Sequence, residues 1–463
     1  MRASLRHVPL PDFGTPLEQP TIPAEIFRAR FARFIDRFRG QGLDALVVYG
    51  DREHSANISY LTGFDPRFEE ALLIVGPNGD PTILTGPENQ GFAKAAALGA
   101  NVALYPPFGL LGQDRSKTPP LETVLRACGL TTGSAVGIIG WKYFNRQESP
   151  TPEQWFETPS YLVDAIRQLA GPSGRVVNAA SILMHPSQGM RAVNEIEQLA
   201  VFEFAACHTS SAVRRVLTGA RPGMREFDAA RLLAPMGLPL SCHTMLSAGP
   251  RAALGLGSPS SRVIQHGDPI AVAYGVWGAL NCRAGWMASD ASELPAGIGD
   301  YIERLAAPYF ATVAEWHEAL AIEAPGGALA EIVARRLGDR FFGLFLNPGH
   351  LIHNDEWMNT PIYAGSDERL ASGQAIQVDI IPATGTPYFT SNVEDGLALL
   401  DEAGRLALAE QFPDMWARIQ HRREFMSRAL GLRLQPEVLP FSNMPAYLTP
   451  FFLSPELAMV VER

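Results

Sequence analysis

The chain has 463 residues, 46% of them apolar and 19% charged, which is too long for one hydrophobic core and too apolar for large-scale disorder, so two domains are expected. A balance of 38 Lys and Arg against 48 Asp and Glu leaves a net charge of −10, which excludes a basic nucleic-acid surface and an anionic-membrane face and suits a small polar or cationic substrate. Cys128, Cys207, Cys242 and Cys282 form no C-x-x-C pair, so neither a disulfide framework nor a structural zinc motif is indicated, and reduced thiols in a cytoplasm are expected.

The opening Met-Arg-Ala-Ser-Leu-Arg-His lacks the apolar core of a signal peptide, and no stretch approaches the roughly 18 to 20 apolar residues of a membrane span. Residues 1–22 are broken by Pro9, Pro11, Pro16 and Pro20, which remove backbone donors, so an irregular arm that packs on a partner subunit is expected. From Ala24 to Arg39 apolar residues recur at helical spacing before Gly40 and Gly42. Strands follow at 45–49, 71–75, 82–85 and 135–139, alternating with helical patterns over 90–97 and 121–127, the signature of an α/β domain over residues 23–185.

Past the turn signals of residues 171–190, a second domain over 186–435 reads as helices at 194–217 and 225–233 and a strand-rich stretch at 240–288. Helices at 299–320 and 327–337 follow, then strands at 374–382 and 394–400. Helices outside and antiparallel strands inside make it α+β. A helix over 413–430 and a Pro-rich apolar tail, 436–463, close the sequence, the tail suggesting an oligomer contact and a homodimer.

The segment Ser55-Ala-Asn-Ile-Ser-Tyr-Leu-Thr-Gly-Phe64 resembles a signature of the creatinase, prolidase and Xaa-Pro aminopeptidase family. Further landmarks stand in the family's order: Ala248-Gly-Pro-Arg-Ala-Ala-Leu254, Gly267-Asp-Pro-Ile-Ala-Val, Asn347-Pro-Gly-His350, Gly373-Gln-Ala-Ile-Gln-Val-Asp379 and Val393-Glu-Asp-Gly396. The resemblance, running from Ala24 to Leu430, implies a creatinase-type α/β amino-terminal domain followed by a "pita-bread" carboxy-terminal domain. It also implies a site in which two Asp, one His and two Glu hold two metal ions that activate a bridging water.

Residue by residue, the resemblance makes His350 the metal-binding His, puts Asp379 at one Glu position and Glu394 at the other, and puts Ala273 where the first Asp belongs. The second Asp falls in a shortened hairpin, 275–285, with Asn281, Cys282 and Ala284 as candidates. The family's two proton-handling histidines correspond to Leu256 and Trp357. The dinuclear centre is therefore not expected, nor is any other cofactor; a single divalent ion, if bound, would lie on His350, Asp379 and Glu394.

Those three residues are the expected catalytic set. Asp379 and Glu394 stand in otherwise apolar strands, where a carboxylate requires a partner, and two carboxylates sharing one pocket force one to keep a proton near neutral pH. Arg283 is a candidate substrate clamp or, equally, half of an ion pair with Glu394 or Asp379. His353, Trp357 and His243 complete the expected binding residues, Trp357 through cation–π contact. The expected reaction is hydrolysis of a C–N bond in a small molecule, an amidine, amide or imidodipeptide-like compound. The resemblance leaves open a metal-dependent Xaa-Pro peptidase, a lyase of the same fold, and a non-catalytic binding relative.

Overall fold

In a computed structural model that describes residues 1–463, the side chain of Leu254 excepted, the aromatic spacing of the first helical pattern yields the helix Ala24–Gly40. Its Phe27, Phe31, Phe34 and Phe38 are buried on one face. The chain divides into two units, Ile22–Ala192 and Val193–Arg463 with Met1–Thr21.

In the unit 22–192 a six-stranded mixed sheet runs Asn101–Leu104, Pro81–Thr85, Ala71–Val75, Ala45–Gly50, Ala135–Ile139, Arg175–Asn178 in spatial order. The two central strands, Ala-Leu-Val-Val-Tyr-Gly and Ala-Leu-Leu-Ile-Val, are buried throughout, which is why they read as unbroken apolar runs. The helical pattern over 90–97 yields only Gln90–Ala93, because Ala93 is the one buried residue of that helix and no apolar stripe carries it further.

The signature segment forms the helix Ala56–Thr62, stopped by Gly63 at φ +75°. Its polar side chains hold the fold together. Asn57 donates to the Gly140 carbonyl at 2.6 Å and accepts from Arg191 at 2.8 Å, while the Tyr60 hydroxyl donates to the Met190 carbonyl at 2.9 Å. The Arg30 guanidinium lies 4.3 Å from the centre of the Tyr60 ring. That motif therefore reports architecture, and chemistry must be sought in the other unit.

The other unit is built on an antiparallel seven-stranded sheet. Its main path is His350–Leu351, Ala375–Asp379, Asn392–Leu399, Ala279–Trp286, Pro269–Val276, Met245–Ala248, with Val438–Pro440 added beside Asn392–Leu399. The long helix Ile196–Gly219 packs against the hairpin Pro269–Val276/Ala279–Trp286. A helix over Glu402–Gln411 was not legible in the sequence, since Leu408 is its only buried residue; it is started by the Asp401 carboxylate accepting from the Gly404 N–H at 2.8 Å.

The first residues are more regular than their neighbouring prolines suggest, and both ends of the chain pack on the chain itself. Arg2–His7, which precedes the first proline, pairs antiparallel with Leu457–Glu462 of the same chain. The apolar tail is likewise spent internally: Met444, Tyr447, Leu448, Phe451 and Phe452 are buried, and the Tyr447 hydroxyl donates to the Val8 carbonyl at 2.7 Å.

The shortened hairpin turns through Trp277-Gly278, with Gly278 at φ +90°, which sets Ala273 opposite Cys282. A Cβ on Gly278 would lie 2.2 Å from Phe202, so both backbone and packing require glycine here. Gly278→Ala is expected to cost about 1–3 kcal/mol in urea unfolding; an unchanged midpoint would show that the turn relaxes freely.

Candidate functional site

Side chains alternate between the faces of a strand, so residues paired across neighbouring strands form a row on one face. One such row crosses four strands: Ala273 opposite Cys282, Cys282 opposite Glu394, Glu394 opposite Asp379. His350 reaches the row from the edge strand, where Leu351 and His350 pair with Ile376 and Gln377. Gly349 before it sits at φ +143°, and a Cβ there would meet Trp316 at 2.9 Å, so the approach that delivers the imidazole needs glycine.

One donor atom from each of His350, Asp379 and Glu394 lies within 4.8 Å of the others, and all three residues are buried. His350 Nδ1 lies 3.2 Å from the Leu351 carbonyl and donates to it, which fixes the tautomer and leaves a lone pair on Nε2. Nε2 makes no hydrogen bond; its nearest carboxylate oxygens are on Glu356 at 3.5 Å and Asp379 at 4.0 Å. Trp357 stacks on the imidazole at 4.2 Å between ring centres and 16° between planes.

Glu356 is the member that sequence reasoning missed. It sits in Asn354-Asp-Glu-Trp, which reads as a solvated loop, and the only signal was its position beside Trp357. It keeps 25% of its side-chain surface accessible, so the cluster has an open side.

Burial dominates the electrostatics. It pushes the Asp379 carboxyl up to about 7 and, with the Asp379 and Asp355 charges, pushes Glu356 up to about 8. Burial and then the Asp379 and Glu356 charges push Glu394 well up. The same burial pushes His350 down to about 4, opposed by its bond to the Leu351 carbonyl. At neutral pH the site therefore holds a neutral imidazole among carboxyl groups that compete for protons.

These shifts set a pH dependence of stability. Asp379 and Glu356 keep protons in the folded protein above the ordinary carboxylate range, so their contribution is full near pH 4 and lost as pH rises through about 7 and 8. His350, depressed from 6.5 to about 4, acts oppositely and loses its contribution as pH falls across that interval. Above 6.5 His350 no longer offsets the loss and Glu394 adds to it, so unfolding of chelator-treated protein should show stability falling by at least about 2 kcal/mol between pH 6.5 and pH 8. A flat or rising profile would contradict the assignment.

The structure brings some expected residues together and keeps others apart. Arg283 does not reach the cluster: the residue next to Cys282 points to the opposite face, where Arg283 pairs with Asp395 at 2.8 Å and donates to the Tyr447 carbonyl at 2.8 Å. Asn281 joins that network, donating to Asp395 at 2.6 Å. His243 is exposed, its Nε2 2.9 Å from the Leu256 carbonyl. His353 is buried, with its Nδ1 accepting from the Asn354 N–H at 2.8 Å and its ring edge-on to Phe202 at 5.0 Å. Cys242 and Cys282 face the cluster; burial followed by Glu356 and Glu394 pushes the Cys242 thiol up to about 12, and burial followed by Glu394 pushes Cys282 well up.

Residues 30–138 match the family described as Creatinase/Prolidase N-terminal domain. Among solved structures, the prolidase from Pyrococcus horikoshii OT3 is similar at 14% identity and a TM-score of 0.61, over 80% of this chain and 95% of that one. The Xaa-Pro dipeptidase from Bacillus anthracis is similar at 16% identity and a TM-score of 0.60, over 82% and 96%. The X-Pro aminopeptidase from Thermotoga maritima MSB8 is similar at 16% identity and a TM-score of 0.59, over 80% and 95%. No curated protein matches the sequence significantly.

Proposed function

Proceeding from a creatinase/prolidase amino-terminal domain and the pita-bread fold, we propose that this protein hydrolyses a C–N bond of a small molecule at His350, Glu356, Asp379 and Glu394. The observation that carries the reading is the convergence of the His350, Asp379 and Glu394 donors within 4.8 Å on one sheet face. The similar structures named prolidase, Xaa-Pro dipeptidase and X-Pro aminopeptidase support peptidase-type hydrolysis as the reaction class.

Two divalent ions, which the fold family implies, do not fit these residues: Ala273 offers no donor and its cross-strand partner is the thiol Cys282. One ion does fit, since buried His350 Nε2 and Asp379 Oδ1 make no hydrogen bond and, with Glu394, present one nitrogen and two carboxylates. An ion held there would polarise the scissile carbonyl or amidine and acidify a water.

The side chains supply the proton handling. Glu356, on the open side and holding its proton to about 8, is placed to protonate the leaving nitrogen. Asp379, near 7, can take a proton from water when no ion engages it. His350 stays neutral and offers Nε2 as a ligand or acceptor, held in plane by Trp357.

The test is turnover of a panel of amidines, amides, imidodipeptides and sulfonium compounds, with metal analysis of the same sample. Cleavage of a C–N compound by protein holding at most one ion per chain is expected. Two ions per chain with Xaa-Pro cleavage would replace this reading with an ordinary dinuclear peptidase; release of an alkene from a sulfonium compound would make the protein a lyase; no turnover would leave a binding protein.

A further inference from the structure

We propose that Asn392 reads the substrate: its carboxamide oxygen accepts an N–H from a neutral amide-type group of the molecule, held over a row of small side chains beside the cluster. The inference rests on the cluster being a C–N hydrolysis centre and names a group that its substrate carries.

Strand register puts Asn392 there. It stands two residues before Glu394 on the strand Asn392–Leu399, so both side chains leave the same face of the sheet, roughly 7 Å apart. Asn392 is opposite Ala284, and Ala284 is opposite Ala271, so the row next to Asp379, Glu394 and Cys282 has a floor of two methyl groups. Ala271 and Cys282 keep accessible surface although both lie on central strands, so solvent reaches this part of the face. Trp286, two residues beyond Ala284 on the same face, ends the row in an aromatic wall, with Phe389 edge-on to it at 6.4 Å.

Asn392 is 3% exposed and its Oδ1 accepts no hydrogen bond, an unfilled acceptor that costs free energy until a donor arrives. A ligand N–H placed over Ala284 satisfies it. The group is neutral because the row is: Ala271, Ala284 and Asn392 carry no charge, and Arg283, between Cys282 and Ala284, is turned behind the sheet onto Asp395. Two other unpartnered oxygens on this face are worse placed. Gln377 lies across the cluster from Asn392 with no accessible surface, its Nε2 donating to the Leu280 carbonyl at 2.6 Å and its Oε1 3.3 Å from where a Cβ of Gly396 would be. Ser247, at the far end of the alanine row, is covered by Gly257, whose Cβ position is 3.5 Å from the Ser247 Oγ.

Benzamide, N,N-dimethylbenzamide and benzoate share one ring and differ in whether the attached group has N–H donors or a charge. Titrating each into full-length protein, followed by saturation-transfer NMR, reads the subsite without reference to turnover. Benzamide should bind about tenfold or more tightly than the other two. Asn392→Ala should abolish that preference, and so should Asn392→Leu, which keeps the buried shape if the smaller side chain unsettles the fold; Gln377→Ala should retain it. No preference for benzamide in the parent, a preference that survives both Asn392 variants, or one lost only in Gln377→Ala overturns the assignment. Turnover of the C–N panel without the preference removes the subsite and leaves the reaction, whereas the preference without turnover leaves the subsite on a binding protein.

Discussion

Replacing His350 by Ala is expected to lower kcat/KM by about 10²–10⁴-fold on whichever C–N substrate the protein turns over. The imidazole is the cluster's only nitrogen donor, is fully buried, and has its Nδ1–H committed to the Leu351 carbonyl, so no neighbour can substitute for Nε2. Its removal leaves a void beneath Trp357 and takes away the cluster's unpaired ring nitrogen. Glu356→Gln, at the open side, should by contrast lower kcat and raise the unfolding midpoint at neutral pH, because it removes a carboxyl that the fold keeps protonated up to about 8. Activity within tenfold of the parent for His350→Ala would remove the cluster from consideration as the reaction centre.

Arg283→Ala is expected to destabilise the protein by about 3–5 kcal/mol, measured by urea unfolding, because it strands the Asp395 carboxylate in the sheet. Asp395 is buried and accepts from Arg283, from Asn281 and from the Ala446 N–H at 2.9 Å, so it cannot turn to water. Replacing both members by apolar residues of similar volume, Arg283→Met with Asp395→Leu, should recover much of the loss. A substrate clamp would behave differently: KM would rise in Arg283→Ala while stability stayed near that of the parent. The geometry predicts the reverse pattern, with KM unchanged in the folded fraction.

What the sequence made legible follows from what periodicity can encode. Strands such as Ala71–Val75 and helices such as Ala24–Gly40 announce themselves because their buried faces repeat every residue or every turn. His350, Asp379 and Glu394 were readable because they occupy recognisable positions in strands or at a strand edge. Glu356 was not, since an irregular loop has no period to betray which of Asp355 and Glu356 points inward. Arg283 shows a different limit: a substrate clamp or an ion pair with Glu394 or Asp379 was expected, but its partner is Asp395, because one residue of strand register decides the face and the shortened hairpin hid that register. The same shift promotes Cys282 from one of several candidates to the residue opposite Glu394.

The pairing of Arg2–His7 with Leu457–Glu462 has a consequence for how the molecule is made. The first strand leaves the ribosome long before its partner exists, and must wait as an unpaired edge while more than four hundred residues are added. Residues 22–192 have all their sheet partners among themselves and can fold during that interval. The two-stranded ribbon then becomes the latest-closing and most proteolysis-sensitive part of the newly made chain, and slowing elongation near residue 450 should raise cleavage at the amino terminus before anywhere else.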